Sequence, residues 1–145
     1  MIAPRDPGYE AKTRDSFARQ PLMAHLGARM TRVEPGIVEV EMPCIPEVTQ
    51  QHGHVHGGAV GAIADSAGGY AGFTLFPPGS TVLTVEYKIN FLAPSRGEAL
   101  RARGTVVRSG RTLTISEVQV FAVREGAEHL CATASQTLIC VLGKD

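Results

Sequence analysis

The sequence predicts an α+β fold: one long central helix wrapped by a curved antiparallel sheet of five or six strands, with short helices at the N-terminus. Three observations predict it. Residues 57–75 form a glycine-rich apolar run long enough to be a buried helix. After Pro77, Pro78 and Gly79 the hydrophobic period changes to two and stays there. The turns between those later runs are short, which makes consecutive strands antiparallel.

Residues 1–9 hold two prolines and a glycine and read as a loose arm. The pattern is weakly helical from about residue 10 to 20, with Phe17 as its apolar anchor. Pro21 suits the first turn of a second short helix reaching Leu26, and Gly27 ends it. Residues 28–33 and 36–42 read as strands around a turn at Glu34, Pro35 and Gly36. In the second of them Val38, Val40 and Met42 alternate with Glu39 and Glu41, one face for a core and one for water. The long helix is expected from Gly57 or Gly58 to about Leu75. Each interior glycine there costs about 1 kcal/mol relative to alanine, so close packing is the expected compensation. Next, Leu83, Val85, Tyr87, Ile89 and Phe91 form one row of a strand, and Thr84, Glu86, Lys88 and Asn90 the other. Residues 94–97 turn the chain into three long strands, 98–108, 111–123 and 128–142. No repeat or linker interrupts it, so the expected organisation is an N-terminal arm and short helix over 1–20 and a single domain over 21–145.

Basic and acidic residues balance at 14 each, which gives no reason to expect nucleic acid or an anionic membrane as partner. The N-terminus lacks the apolar region of a secretory signal, and no apolar run reaches the length of a bilayer span. Cys44, Cys131 and Cys140 form no CxxC pair and read as free thiols, so a reducing, cytoplasmic setting is expected. No P-loop, GxGxxG or Gly-x-Ser-x-Gly elbow occurs, which removes common nucleotide binders and serine hydrolases.

The chemistry concentrates in the helix. From Val48 through Val85 the one formally ionised side chain is Asp65, set amid apolar residues. A carboxylate there either pairs structurally, with a backbone or an arginine, or serves as general base or nucleophile. His56, Gly57 and Gly58 open the helix, where unpartnered amides and the dipole suit an oxyanion or phosphate. The plainer reading is a glycine turn. Gly57 and Asp65, eight residues apart on one helix, are separated by about 12 Å along the axis. One carbonyl cannot touch both, so if they act together they come from two copies of the chain. His52, His54 and His56 alternate but lead into glycines, with His25 and His129 far off, so no metal site is expected. Thr84, on the polar row, could simply face water.

HGHVHGGAVGAIADSAGGYAGF, then TVEYKINFLAPSRGE and VVRSGRTLTISEVQV, resemble the hotdog-fold acyl-CoA thioesterases, most of all their phenylacetate-degradation (PaaI-like) branch. The likeness runs from about residue 21 to 142. It implies hydrolysis of an acyl- or aryl-CoA thioester, coenzyme A being part of the substrate and no cofactor being required. It implies a homodimer as the minimal active unit, joined sheet edge to sheet edge and assembled into a homotetramer. Asp65 matches the family's catalytic carboxylate, and Gly57 the glycine whose N–H polarises the thioester carbonyl. His56 matches the histidine that holds that turn, and Thr84 a hydroxyl that positions water or the carboxylate. Where the branch has asparagine this chain has Gln50, with Gln51 beside it, and either could face the thioester. Gly58 falls in the substrate-binding turn, and Arg108 and Arg111 (with Arg96) are candidates for the CoA phosphates. The alternative is a non-catalytic acyl-CoA-binding hotdog protein; a hotdog hydratase would need a different acid and base.

Overall fold

The computed structural model describes residues 2–143; Met1, Lys144 and Asp145, counted in the expected arm and domain, lie outside the described residues. Two short helices, α1 (Tyr9–Ala18) and α2 (Pro21–His25), precede the hairpin β1 (Arg29–Glu34) and β2 (Ile37–Pro43). The long helix α3 (Gly57–Phe73) comes next. Strands β3 (Ser80–Phe91), β4 (Ala99–Ser109), β5 (Leu113–Arg124) and β6 (Ala127–Leu142) follow it. The six strands form one sheet in the order β1-β2-β4-β5-β6-β3, antiparallel throughout. This is the expected hotdog arrangement, with the count settled at six.

The sheet closes around α3 because both present apolar surface. Val60, Ile63, Ala67 and Ala71 of the helix and Val38, Val40, Leu100 and Val120 of the sheet are all fully buried. Each of these valine, leucine and isoleucine side chains stabilises the fold by about 1.5–3 kcal/mol. The glycines permit the approach. A Cβ on Gly104 of β4 would strike the Ala67 carbonyl, and one on Gly72 would strike Leu138. The helix gives up propensity and gains contact.

Four local differences from the expectation have physical causes. The arm is tied down rather than loose: Arg5 donates to the Gly110 carbonyl at 3.3 Å, and Asp6 pairs with Lys12 at 3.0 Å. β3 starts earlier than its alternation, because Gly79 turns at φ +70° and Ser80 already pairs with Leu142. β5 starts later, because the Gly110 N–H closes a turn onto the Leu113 carbonyl at 2.8 Å. The row assigned to β3 is broken by a bulge between Thr84 and Glu86. Val85 is the extra residue, so Thr84 shares the helix-facing side with Tyr87 and Phe91 while Leu83 faces away.

β3 is also a bare edge. Twelve residues long, it pairs with β6 on one side and, among the described residues, with no strand on the other. Its Leu83 and Val85 are 55 % exposed and its Phe91 53 %. A long, apolar, open edge is a surface that native proteins cover. Among the described residues no helix is long and apolar enough to cross a membrane.

Candidate active site

Two half-sites sit on α3, each facing β3. The first is the helix start. The loop before α3 is pinned by a Thr49–Val55 bridge, by the Gln50 N–H donating to the His54 carbonyl at 2.8 Å, and by the His56 N–H donating to the Val48 carbonyl at 2.9 Å. His56 caps the helix: its Nδ1 accepts the Gly58 N–H at 2.7 Å. Its carbonyl takes the N–H groups of Ala59 and Val60 at 2.9 and 3.1 Å. Gly57, between them, keeps its N–H without a partner among the described residues. Gln50 accepts the His52 N–H with its Oε1, which leaves its NH2 end to donate elsewhere. Gln50 and Gly57 line one hollow of about 390 Å³, with Val55 and Phe91. Gln51 is exposed at the loop tip and is not part of that hollow.

The second half-site lies two turns along. Asp65 is half-buried rather than enclosed in apolar surroundings, and it has partners from two distant strands. Thr84 Oγ1 donates to its Oδ1 at 2.6 Å. Gln136 Nε2 donates to the same oxygen, and also lies 3.2 Å from both the Asp65 carbonyl and Thr84 Oγ1. Gln136 is 1 % exposed, and Ser116 donates to its Oε1 at 3.4 Å. A Cβ on Gly68 would strike that Oε1, so the glycine makes room for the amide. Beside Asp65 opens a cavity of about 460 Å³ that also touches Thr84, Ser66, Gly69, Tyr70 and Gln20.

Gln136 is the residue that sequence reasoning missed. The signal was present: Ala132, Ala134 and Leu138 occupy the inward phase of β6, and an amide at position 136 interrupts it. Ser116 interrupts the inward phase of β5 beside Val118 and Val120 in the same way. A polar residue on a buried row needs partners: Ser116 bonds Gln136, and Gln136 bonds the acid.

The remaining candidates scatter. Arg108, at the end of β4, and Arg111, in the turn after it, are exposed and line neither hollow; Arg96 is exposed too. The N–H of Gly58 is already given to His56. His52 is exposed and His54 half-buried, and among the described residues no three His, Cys, Asp or Glu side chains gather as metal ligands would. Burial pushes the Cys44 and Cys131 thiols up, so neither supplies a thiolate nucleophile near neutral pH.

One half-site therefore holds open donors and the other a fixed acceptor beside an open cavity. A carbonyl whose oxygen meets the first and whose carbon meets the second or its water would be set for attack. The two lie about 12 Å apart on one helix.

Comparison with known proteins identifies the family and the fold. Residues 52–128 match the thioesterase superfamily. A thioesterase family protein from Silicibacter pomeroyi superposes with a TM-score of 0.92 at 50 % identity, covering 94 % of this chain and 100 % of that one. The proofreading thioesterase EntH of Klebsiella pneumoniae is 32 % identical over 69 % of this chain and 73 % of its own length. In fold alone, the E. coli PaaI protein of the phenylacetic acid degradation operon is similar at a TM-score of 0.82 and 19 % identity, covering 94 % of this chain and 95 % of its own.

Proposed function

The chain belongs to the thioesterase superfamily, and from that premise we propose that it hydrolyses an acyl- or aryl-CoA thioester to the free acid and coenzyme A, as a PaaI-like enzyme with its site shared between two subunits. The observation that carries the reading is Asp65, held on one oxygen by Thr84 and Gln136 and open to a cavity.

The shared site follows from β3. Thr84 touches Asp65, and Phe91 lies against Gly57 on the same strand. If two copies pair antiparallel along this edge about a two-fold axis at Lys88, the extra residue Val85 brings Thr84 opposite the partner's Phe91. Asp65 then faces Gly57 of the partner subunit. The pairing also satisfies the open edge and covers its apolar side chains. Leu83 and Leu113, half-exposed beside Ile139 on the sheet's outer face, would be covered by a second dimer, which supports a homotetramer.

In the reaction the partner's Gly57 N–H and Gln50 amide stabilise the oxyanion as the carbonyl becomes tetrahedral. Asp65 either attacks the carbonyl carbon or takes a proton from a water beside Thr84 that attacks it. The C–S bond then breaks and the thiolate leaves as CoA, protonated to the thiol. The acyl group leaves as a carboxylic acid, directly or by hydrolysis of an Asp65 anhydride. Label found in Asp65 after a single turnover in isotopically labelled water identifies it as the nucleophile, since water reaches that carboxyl only by opening the anhydride there. The chemistry needs no cofactor beyond the CoA of the substrate. We place it in the cytoplasm, where the three free thiols stay reduced.

The test is thiol release from a panel of acyl- and aryl-CoA esters. Release by the wild type and its loss in Asp65→Ala are expected. Undiminished turnover in Asp65→Ala removes the acid from the mechanism, and saturable CoA-ester binding without thiol release supports the non-catalytic alternative.

A further inference from the structure

His54 lines the Gly57 hollow, and the reaction above does not use it. It is distinct from the helix cap, which is His56, whose Nδ1 is already occupied by the Gly58 N–H. The His54 backbone is fixed: its carbonyl accepts the Gln50 N–H at 2.8 Å, and Val55 beside it bridges to Thr49. Its ring has one nitrogen sealed and one open. Nδ1 is cut off from water and has no hydrogen-bond partner among the described residues. Nε2 has no partner there either, but it is not shut away from solvent as Nδ1 is. A proton on Nδ1 would be a buried donor with nothing to receive it, so the neutral ring carries its proton on Nε2. Nε2–H is therefore a third open donor at the hollow, beside the Gly57 N–H and the Gln50 amide.

Most of the remaining wall is already committed. The N–H groups of Leu92 and Ala93 both go to the Cys131 carbonyl, and Pro94 has none. The Val55 N–H goes to the Ser95 carbonyl, and the Ser95 hydroxyl to Cys131 Sγ. Two donors are enough for the oxyanion, which leaves the imidazole for another atom. The other thioester atom that gains negative charge is the sulfur, bonded to the same carbon and so held in the same hollow. Its departure needs help when a carboxylate attacks. The tetrahedral intermediate can then expel either the carboxylate or the thiolate, and an ordinary carboxylate is the weaker base by about 4–5 pK units. Unaided, the intermediate falls back to the thioester. A donor on the sulfur tips the partition forward.

We propose that His54 is a catalytic residue whose Nε2–H donates to the leaving sulfur. As the C–S bond breaks, its electron pair passes to sulfur, and the thiolate so formed accepts this hydrogen bond. The proton stays on His54; the thiolate takes its own from water once released. The proposal rests on the thioesterase reading, with the hollow of one subunit serving the acid of the other.

The experiment compares the wild type, His54→Leu and His54→Gln on one acyl group carried by three thiols: CoA, N-acetylcysteamine and thiophenol. Thiophenol is the most acidic of them and leaves with the least help. On the CoA ester His54→Leu is expected to lower kcat about 10- to 100-fold with KM little changed, the worth of one hydrogen bond to a charged group. The thiophenyl ester is expected to lose far less, so that its kcat/KM relative to the N-acetylcysteamine ester rises about tenfold in His54→Leu. His54→Gln, whose amide N–H reaches to about the place of Nε2, is expected to recover most of kcat. A His54→Leu protein as active as the wild type overturns the proposal and leaves the thioesterase reading standing. So does a loss equal on all three esters, which would put the donor on the oxygen, and so does a loss confined to KM. If the wild type accepts the CoA ester alone, a fall in kcat restored by His54→Gln supports the proposal and an unchanged or unrestored kcat overturns it. Absence of thiol release from every ester overturns the thioesterase reading and this proposal together.

Discussion

The two ends of the working stretch of α3 are built on opposite plans. At the helix start the candidate groups are backbone and loop: the Gly57 N–H, without a partner among the described residues, and Gln50 held by its oxygen end. Two turns later they are side chains drawn in from far along the sequence, with Gln136 and Thr84 both on one Asp65 oxygen. The first region offers donors and lacks an acceptor. The second fixes an acceptor and leaves a cavity beside it. Neither is a complete site by itself, and on the proposed shared-site reading β3, which touches both, is the edge where two copies would meet. The lesson is that a single chain can carry two halves of a site too far apart to serve each other.

Breaking the acceptor half should have the largest effect. Asp65→Asn keeps the shape of the side chain and removes the base or nucleophile, so kcat should fall about 100- to 10,000-fold with the ester still bound. Steady-state kinetics with direct binding on the same protein check this. On the donor half, Gln50→Ala should cost about 100- to 1,000-fold in kcat, as the loss of one oxyanion donor does. The same change at Gln51 should cost little, which sharpens the assignment between the two glutamines.

Gln136→Leu should lower kcat by roughly 10- to 100-fold with KM little changed, the worth of one hydrogen bond to a charged group. Gln136→Glu sets a second carboxylate against Asp65. Like charges at that distance share a proton, so the acid limb of the pH–rate profile should move to higher pH. An unmoved limb in a folded Gln136→Glu protein would mean the amide does not govern the acid.

The smallest expected effects are on stability, and they separate two adjacent glycines. Gly68→Ala drives a methyl into Gln136 and Val118 and should destabilise by about 1–3 kcal/mol. Gly69→Ala meets open space and should be neutral or stabilising by up to about 1 kcal/mol. Urea unfolding of both, with a common m-value, makes the comparison.

The fold was legible because its signals are local and repetitive. The apolar run of α3 and the alternation of β4, β5 and β6 each identify their element without knowledge of the rest. The donor half was legible for the same reason, since His56, Gly57 and Gly58 are consecutive and Gln50 is close by. The acceptor half was legible only through Asp65, a charge in an uncharged stretch. Gln136 is not legible in the same way, because its partner lies on a different element and the alternation of its own strand marks only apolar residues. Simple alternation puts Thr84 on the polar face of β3, and the extra residue Val85 reverses that, because one added residue flips every side chain beyond it. Bulges leave no mark on composition.

The most direct measurement of the shared site is complementation. An Asp65→Asn chain and a Gln50→Ala chain, each nearly inactive alone, are co-expressed in equal amounts. Random pairing makes half the dimers mixed, and each mixed dimer holds one intact site and one doubly damaged one. Activity should therefore return to about one quarter of wild type. If the mixture, shown to contain mixed dimers, stays at the average of the two separate variants, the donors and the acid serve the same chain and the two-subunit account is wrong.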